Sequence, residues 1–399
     1  DGVSTAYLYN DIAIRLKQRG YDVVVLTTTP HFNIVPEDVE KQPMRWKVWG
    51  VCKESQYHGI KVLHVPQKKF KNTLLRMASF VYWHLVSFVI GLTIRKVDLI
   101  LSPSPPLTIG YMNLGLGRLK GCKVVYNVQE IYPDLLKLKP GAALNVLRWM
   151  EKKVYDGSDA VTTIDQVFYD TIVDRFSDRS KLRIIPNFVD TELYRQREWR
   201  GVLDESLFPD NDKIRVLYAG NIGLVQDWDA LLNLAELTRD ANVEFVVVGE
   251  GAKKDYLETE AGLRGLQNVR VLTYQPRRLM PHILAYSDVN FIFMSHGMDS
   301  DGFPSKVYTI MACERPLLVL SGENTPIVNF LKGKGCAKLV TEKNVRKAVE
   351  EMSAWLHSVK KEELHEMGRR GLKTIEENYT KETVTEKYCE LVKELIGEA

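Results

Sequence analysis

At 399 residues the chain exceeds what one ordinary hydrophobic core fills, so two domains are expected. A content of 45% hydrophobic and 26% charged residues is that of a folded soluble protein and excludes a disordered or fibrous one. A net charge of +3 is too small to imply a nucleic-acid partner, and none is expected.

The first segment, "STAYLYNDIAIRLKQRG", predicts an amphipathic helix with Leu8, Ile12 and Leu16 on one face and Gly20 as its stop. "YDVVVLTTT" then reads as a strand. A doubly wound domain normally opens on a strand, yet only "DGVS" precedes the helix. The expectation is therefore a trimmed chain whose first domain lacks a central strand of about six residues.

"KVLHVP" is the next strand. After it comes the most apolar window, "LLRMASFVYWHLVSFVIGLTI" at 74–94, long enough to cross a bilayer but interrupted by Arg76, Trp83 and His84. Three readings stay open here: a transmembrane helix, a mostly buried core helix, or a membrane-docking surface. The last is suggested by Lys68, Lys69, Lys71 and Arg76 set beside Phe70, Leu74 and Leu75.

The strands "VDLILSPS", "CKVVYNVQ", "AVTTID" and "LRIIPN" follow, each separated by a helical segment. A loop-rich stretch at 188–213 interrupts this rhythm, which resumes with "IRVLYAG", "VEFVVVGEG", "VRVLTY", "VNFIFMS" and "PLLVLS". Apolar strands alternating with helices predict parallel sheets covered on both faces. The expected fold is α/β, with two doubly wound parallel-sheet (Rossmann-like) domains facing across a cleft. Their bounds are 1–188 and 189–375, and a C-terminal helix, 376–399, packs back toward the first domain. Ligands of such sheets bind beyond the carboxyl ends of the strands.

The five cysteines, Cys52, Cys122, Cys313, Cys336 and Cys389, are scattered, odd in number and without C-x-x-C spacing. They are expected to be reduced and intracellular, with no structural zinc and no signal peptide.

Chemistry concentrates in the second half. "VLYAGNIG" (216–223) and "VVVGEG" (246–251) are strands ending in glycine turns, where backbone N–H groups can approach a phosphate. "DGFPSK" (301–306) places Pro304 at a helix start, with free N–H groups at Ser305 and Lys306 and a lysine charge beside them. Each is weak alone, since glycine turns are common and Lys306 also suits a solvated helix start. Three in this order in one half are more telling.

With these elements the chain resembles the GT-B glycosyltransferases of family 4, in the branch that builds bacterial surface polysaccharides such as O-antigen, capsule and colanic acid. The resemblance covers almost all of the chain. It runs through "DGVSTAYLYNDIAIRLKQRGYDVVVLTTTP", "VVYNVQEIYPD", "VYDGSDAVTTIDQ", "RIIPNFVDTELY", "LYAGNIGLVQDWDALLNLA", "VVVGEGAKK" and "DGFPSKVYTIMACERPLLV". It implies retaining transfer from a nucleotide-diphosphate sugar, UDP-linked, to a polyprenyl-diphosphate-linked oligosaccharide. The enzyme would be cytoplasmic and peripheral at the inner membrane face, and would need no cofactor.

Residue by residue, the family's two donor-site glutamates fall on Asp301, which would meet sugar hydroxyls, and on Thr309, which keeps one hydroxyl for the ribose. The diphosphate-binding Arg and Lys of many members fall on Asn221 and Gln226. The phosphate charge would then rest on Lys306 and on the turn from Gly220 to Gly223, with Gly249 and Gly251 in the next loop. The base would be held by backbone around Tyr274 and Gln275, ahead of Arg277 and Arg278.

Where the family often has a cleft histidine stand Gln129 and Glu130. Glu130 is a candidate for binding or proton handling, or an ordinary loop carboxylate. Asp1, Gly2 and Val3 match the N-terminal glycine loop at the diphosphate. His31 and Gln129 would face acceptor, and His296 and Asp299 the donor sugar. No metal is expected, Asp299 and Asp301 being the nearest approach to a D-x-D pair. The protein's main task would be to stabilise charge growing on the diphosphate, whose phosphate takes the acceptor proton.

The alternatives are a degenerate homologue acting as a binding subunit and, less well matched, a sugar-nucleotide epimerase. A dinucleotide oxidoreductase is poorer still, because no G-x-G-x-x-G follows a strand.

Overall fold

The computed structural model describes residues 7–30, 40, 42–47, 50–68, 70, 72–136, 138–294 and 303–397. The chain divides into two compact units, Asp1–Asn187 with Glu382–Ala399, and Phe188–Lys381.

In the first unit α1 (Tyr7–Gln18) leads to β1 (Val24–Thr28), β2 (Arg45–Lys47), β3 (Cys52–Tyr57) and β4 (Ile60–Val65). Then come α2 (Thr73–Thr93), β5 (Leu99–Pro103), α3 (Leu107–Lys120), β6 (Lys123–Val128), α4 (Ala142–Gly157), β7 (Ala160–Thr163), α5 (Gln166–Ile172) and β8 (Leu182–Ile184). The strands form two sheets rather than one, in the orders β1-β4-β3-β2 and β5-β6-β7-β8. β1 pairs parallel with β4, β2–β4 are antiparallel, and the second sheet is parallel throughout.

β1 and β5 each have one bonded neighbour, and Val24, Leu26, Leu99 and Leu101 on them are half-buried. On β6, with neighbours on both sides, Val124, Val125 and Val128 are buried.

α2 starts cleanly, the Asn72 carboxamide accepting from the Leu74 and Leu75 amides at 2.9 and 3.2 Å. Among the described residues it is the one helix long and apolar enough to cross a membrane. It buries Trp83, Ser87, Ile90 and Gly91 while leaving Leu74, Leu75, Met77, Val81, Leu85 and Val89 exposed. The reading as a mostly buried core helix is thereby corrected: one stripe packs and the rest is apolar surface.

Asn127 at the centre of β6 is fully buried and saturates its hydrogen bonds. Its Oδ1 accepts from Tyr9 at 2.6 Å and Gln129 at 2.8 Å, and its Nδ2 donates to Thr162 at 2.8 Å and Tyr388 at 3.0 Å. Replacing Asn127 by Leu strands four polar partners, two of them buried, so a loss of about 2–4 kcal/mol is expected in urea denaturation. A cost under about 1 kcal/mol would mean that water replaces the network.

The second unit contains β9 (Ile214–Ala219), α6 (Trp228–Leu237), β10 (Val243–Val248), α7 (Lys254–Leu263), β11 (Val269–Leu272), α8 (Met280–Tyr286) and β12 (Val289–Phe293). α9 (Lys306–Ala312), β13 (Leu317–Leu320), α10 (Pro326–Leu331), β14 (Ala337–Val340), α11 (Val345–Ser358) and α12 (Lys361–Asn378) complete it. One parallel sheet runs β11-β10-β9-β12-β13-β14.

Successive strand residues feed opposite cores, as the two-residue period of a strand requires. Val216, Phe245, Val247, Phe291 and Phe293 join one core, with α6 and α11, and Leu217, Val246, Val248, Ile292 and Val319 join the other, with α8 and α9. Chain direction across the sheet reverses between β9 and β12, so the crevice for a ligand opens at their carboxyl ends.

The last helix, α13 (Lys381–Ile396), belongs from Glu382 onward to the first unit. Glu386 there takes ion pairs from Arg15 at 2.9 Å and Arg19 at 2.7 Å on α1, and Tyr388 meets Asn127.

Candidate functional site

At the switch point the loops after β9 and β10 interlock through their backbones. The amide of Gly220 donates to Val248 O at 3.0 Å, Ile222 N to Glu250 O at 2.8 Å, and Lys253 N to Ile222 O at 2.9 Å. The approach leaves no room for side chains. A Cβ on Gly249 would lie 1.9 Å from Gly220 O, and one on Gly251 2.2 Å from Ile222 O, at φ of +158° and +156°.

The Gly223 amide donates to the Gln226 side chain at 3.1 Å, the Trp228 indole donates to Gly223 O at 2.8 Å, and the Tyr218 hydroxyl to Asn221 O at 2.8 Å. Three of the four amides from Gly220 to Gly223 are thus already engaged by protein. The turn is more a scaffold than the open phosphate cradle that its glycines suggest.

The cation at this point is Lys306, the first residue of α9. Its ammonium stands 3.9 Å from the centroid of the Tyr218 ring and 3.5 Å from where a Gly220 Cβ would be. Lys306 is half-buried and has no carboxylate partner among the described residues. Burial pulls its pKa from 10.5 down to about 8. A desolvated ammonium at the mouth of a switch point, with no anion beside it among the described residues, suits an anionic ligand.

Beneath it, Tyr308 lies against Phe330 and Tyr379 with ring centroids 5.5 and 5.2 Å apart, and Phe303 meets Tyr308 at 5.0 Å. This aromatic cluster fixes α9 through residues distant in the chain, so no local sequence pattern marks it.

The other expected donor-site residues are placed as follows. Pro304 and Ser305 form the turn into α9, with Val307 N bonded to Pro304 O at 3.0 Å and Tyr308 N to Ser305 O at 3.2 Å. Thr309 donates its hydroxyl to Lys306 O at 2.8 Å, so only its lone pairs remain for a ligand. Tyr274 is exposed beyond β11; its amide reaches Glu250 Oε1 at 3.4 Å, and the Gln275 carboxamide folds onto Thr273 O at 3.3 Å. Glu250, which the sequence reading passed over, links these two strand-end loops and pairs with Lys254 at 2.8 Å. Its position inside G-E-G was the available signal.

In the first unit, Gln129 turns its carboxamide onto Asn127. Glu130 is exposed, without an ion pair among the described residues, and partial desolvation raises its carboxyl pKa. Asp134 nearby is taken up structurally by Arg148 at 2.5 Å and Arg175 at 2.7 Å, beside the buried Glu151. Asp1, Gly2, Val3, His31, His296, Asp299 and Asp301 lie outside the described residues. Among the described residues no group of three His, Cys, Asp or Glu side chains could hold a metal ion.

Residues 6–193 match Glycosyltransferase Family 4, and residues 201–374 match Glycosyl transferases group 1. The chain belongs to the glycosyltransferases. This glycosyltransferase is 24% identical over 317 residues to WcaI of Escherichia coli (strain K12), provisionally named a colanic acid biosynthesis glycosyl transferase, with 74% of each chain covered. It is 24% identical over 285 residues to WbjE of Pseudomonas aeruginosa, a provisionally named glycosyltransferase, covering 66% of this chain and 68% of that one.

Among solved structures it resembles HepE of Anabaena in complex with UDP and glucose, with a TM-score of 0.71 at 12% identity over 99% of this chain and 98% of the other. Sucrose-phosphate synthase of Thermosynechococcus elongatus gives 0.71 at 12% identity over 98% and 93%. At such identities the likeness fixes the fold, which is GT-B. The enzyme is therefore a two-domain GT-B glycosyltransferase related to enzymes of surface-polysaccharide synthesis.

Proposed function

We propose that the enzyme moves a sugar, with retention at the anomeric carbon, from a UDP-sugar to a polyprenyl-diphosphate-linked oligosaccharide. The observation that carries this reading is the Lys306 ammonium, which has no carboxylate partner among the described residues, held against Tyr218 and Gly220 at the switch point. A nucleoside diphosphate is an anion that such a site accommodates. HepE, with the same fold, was solved with UDP, and the name of WcaI places it in polysaccharide synthesis.

In the reaction, the bond from the anomeric carbon to the β-phosphate oxygen breaks as the acceptor hydroxyl adds on the same face. The departing phosphate oxygen takes the hydroxyl proton, so no protein nucleophile is required. Lys306 stabilises the charge that grows on the diphosphate, and its effect is largest in the transition state. Asn221, Gln226 and the Gly249–Gly251 loop shape the phosphate pocket. The backbone at Tyr274 and Gln275 holds the base, Pro304, Ser305 and Thr309 bound the ribose side, and Asp301 meets the sugar. By the family resemblance, Glu130, Gln129 and His31 would serve the acceptor, and Asp1, Gly2 and Val3 the diphosphate. The exposed apolar row on α2 supports a cytoplasmic enzyme peripheral to the inner membrane face.

A second reading, a binding subunit without turnover, draws on Thr309, whose hydroxyl proton is spent on the backbone of its own helix. The two separate in one assay. Purified chain is incubated with a panel of UDP-, GDP- and ADP-sugars and a lipid-linked oligosaccharide extract, and nucleotide release and the anomeric configuration of the product are read by NMR. Transfer with retained configuration supports the proposal. UDP binding without transfer or hydrolysis of any donor favours the subunit, and an inverted product removes the retaining mechanism.

A further inference from the structure

The apolar surface extends well beyond α2. α3 packs between α2 and α4: the His84 imidazole on α2 meets the Thr108 hydroxyl on α3 at 3.0 Å, and Tyr111 on α3 faces Trp149 on α4 with ring centroids 6.0 Å apart. Large apolar side chains stand exposed on all three helices, among them Leu85 at 63%, Leu119 at 68% and Trp149 at 52% of their full areas. Scattered apolar residues are normal on a surface, but a patch shared by three neighbouring helices is not. Tyr and Trp are the side chains that settle at a headgroup boundary.

Charge names the occupant. From 55 to 129 the sequence has ten Lys and Arg and a single acid, Asp98, whereas the rest of the chain has 44 basic and 50 acidic residues. Within this stretch Lys68, Arg76, Arg95, Lys96 and Arg118 are exposed, and no acid occurs on α2 or α3. A second copy of the chain would bring like charges together on this face. An anionic lipid surface is attracted instead, by about 1 kcal/mol for each basic residue near it. Nor does α2 leave its unit to span a bilayer, because Trp83 and Ile90 are buried with Leu63 and Val65.

We infer that α2, α3 and α4 together form one face that docks on an anionic bilayer, with Trp149 and Tyr111 seated at the headgroup level. This rests on the reading above of a peripheral enzyme and identifies the surface and the lipid it requires. The docked face would hold the enzyme where a polyprenyl-linked acceptor is confined.

The test is flotation of the full chain with vesicles of phosphatidylcholine alone or mixed with phosphatidylglycerol. Wild type is expected to float only with the mixed vesicles and to be released by salt. Arg118→Gln should weaken partition about fivefold, and Trp149→Glu or Leu85→Glu at least about tenfold. All three sites are exposed, so melting midpoints should stay near wild type, and Trp149→Phe should float as wild type does. Tryptophan emission should shift to the blue on docking, and much less so in Trp149→Phe.

Failure to float with mixed vesicles would overturn the inference. So would equal binding to both vesicle types, wild-type binding by Trp149→Glu, or a dimer in light scattering that Trp149→Glu splits. Nucleotide binding by the second unit is measured separately, so loss of the lipid face and loss of the donor reading remain distinguishable.

Discussion

Replacing Lys306 by Ala is expected to lower kcat/KM for sugar transfer by about 10²–10³-fold, the usual loss when a preorganised group facing developing charge is removed. The variant should fold well, because it removes a desolvated charge that has no carboxylate partner among the described residues.

A pH signature accompanies this. Burial leaves the free-enzyme ammonium with a pKa of about 8, and a bound diphosphate must raise it. Below that value lysine is charged in both states and affinity is constant. Above it the free enzyme loses the proton that binding restores, so the dissociation constant should rise up to tenfold per pH unit until the pKa of the complex is passed. Titration calorimetry between roughly pH 6.5 and pH 9.5 resolves this break. Lys306→Arg keeps its charge throughout and should abolish the pH dependence whatever its absolute affinity. A wild-type curve flat through pH 9 would show that Lys306 does not sense the ligand.

Gly249→Ala is expected to cost about 3–4 kcal/mol and to abolish nucleotide-induced thermal stabilisation. The added carbon meets a backbone oxygen at 1.9 Å, and that oxygen belongs to Gly220, beside the Lys306 ammonium. Neither loop can retreat alone, since both are tied by the bonds from Gly220 to Val248 and from Ile222 to Glu250. The φ of +158° adds strain that an L side chain does not relieve.

Gly223→Ala is the control. Its nearest obstacle is the Asn221 carboxamide nitrogen at 2.6 Å, the end of a movable side chain, so about 1 kcal/mol is expected. Urea denaturation of both variants checks the order. Equal, small losses would mean that the loops do not interlock as described.

The eleven strands read from apolar runs all form, because parallel strands buried on both faces leave an unmistakable pattern. β2 and β3 escaped notice because "RWK" and "CKESQY" are polar antiparallel strands with no such run, and β14 is only "AKLV". The glycine turn at Gly220 and the Pro-Ser-Lys segment, far apart in the sequence, come together at Lys306.

What those turns do was not legible. Whether a turn amide is free or engaged depends on the stagger of the β9 and β10 loops, which no local sequence records. Similarly, no local pattern in the sequence records that the Gln129 amide nitrogen donates to Asn127, two residues earlier. For α2, residues apolar all round hid which stripe packs, since that is set by the sheet and by α3 rather than by the helix itself.

A diphosphate site built around Lys306 in the switch-point crevice makes UDP binding depend on that lysine. Its most direct test is calorimetric titration of UDP into the wild-type chain and into Lys306→Ala at neutral pH. Saturable one-to-one binding is expected for wild type, weakened at least about 30-fold in the variant, as loss of a charge-assisted contact implies. Absence of UDP binding by folded wild type, or equal affinity in the two proteins, would contradict it.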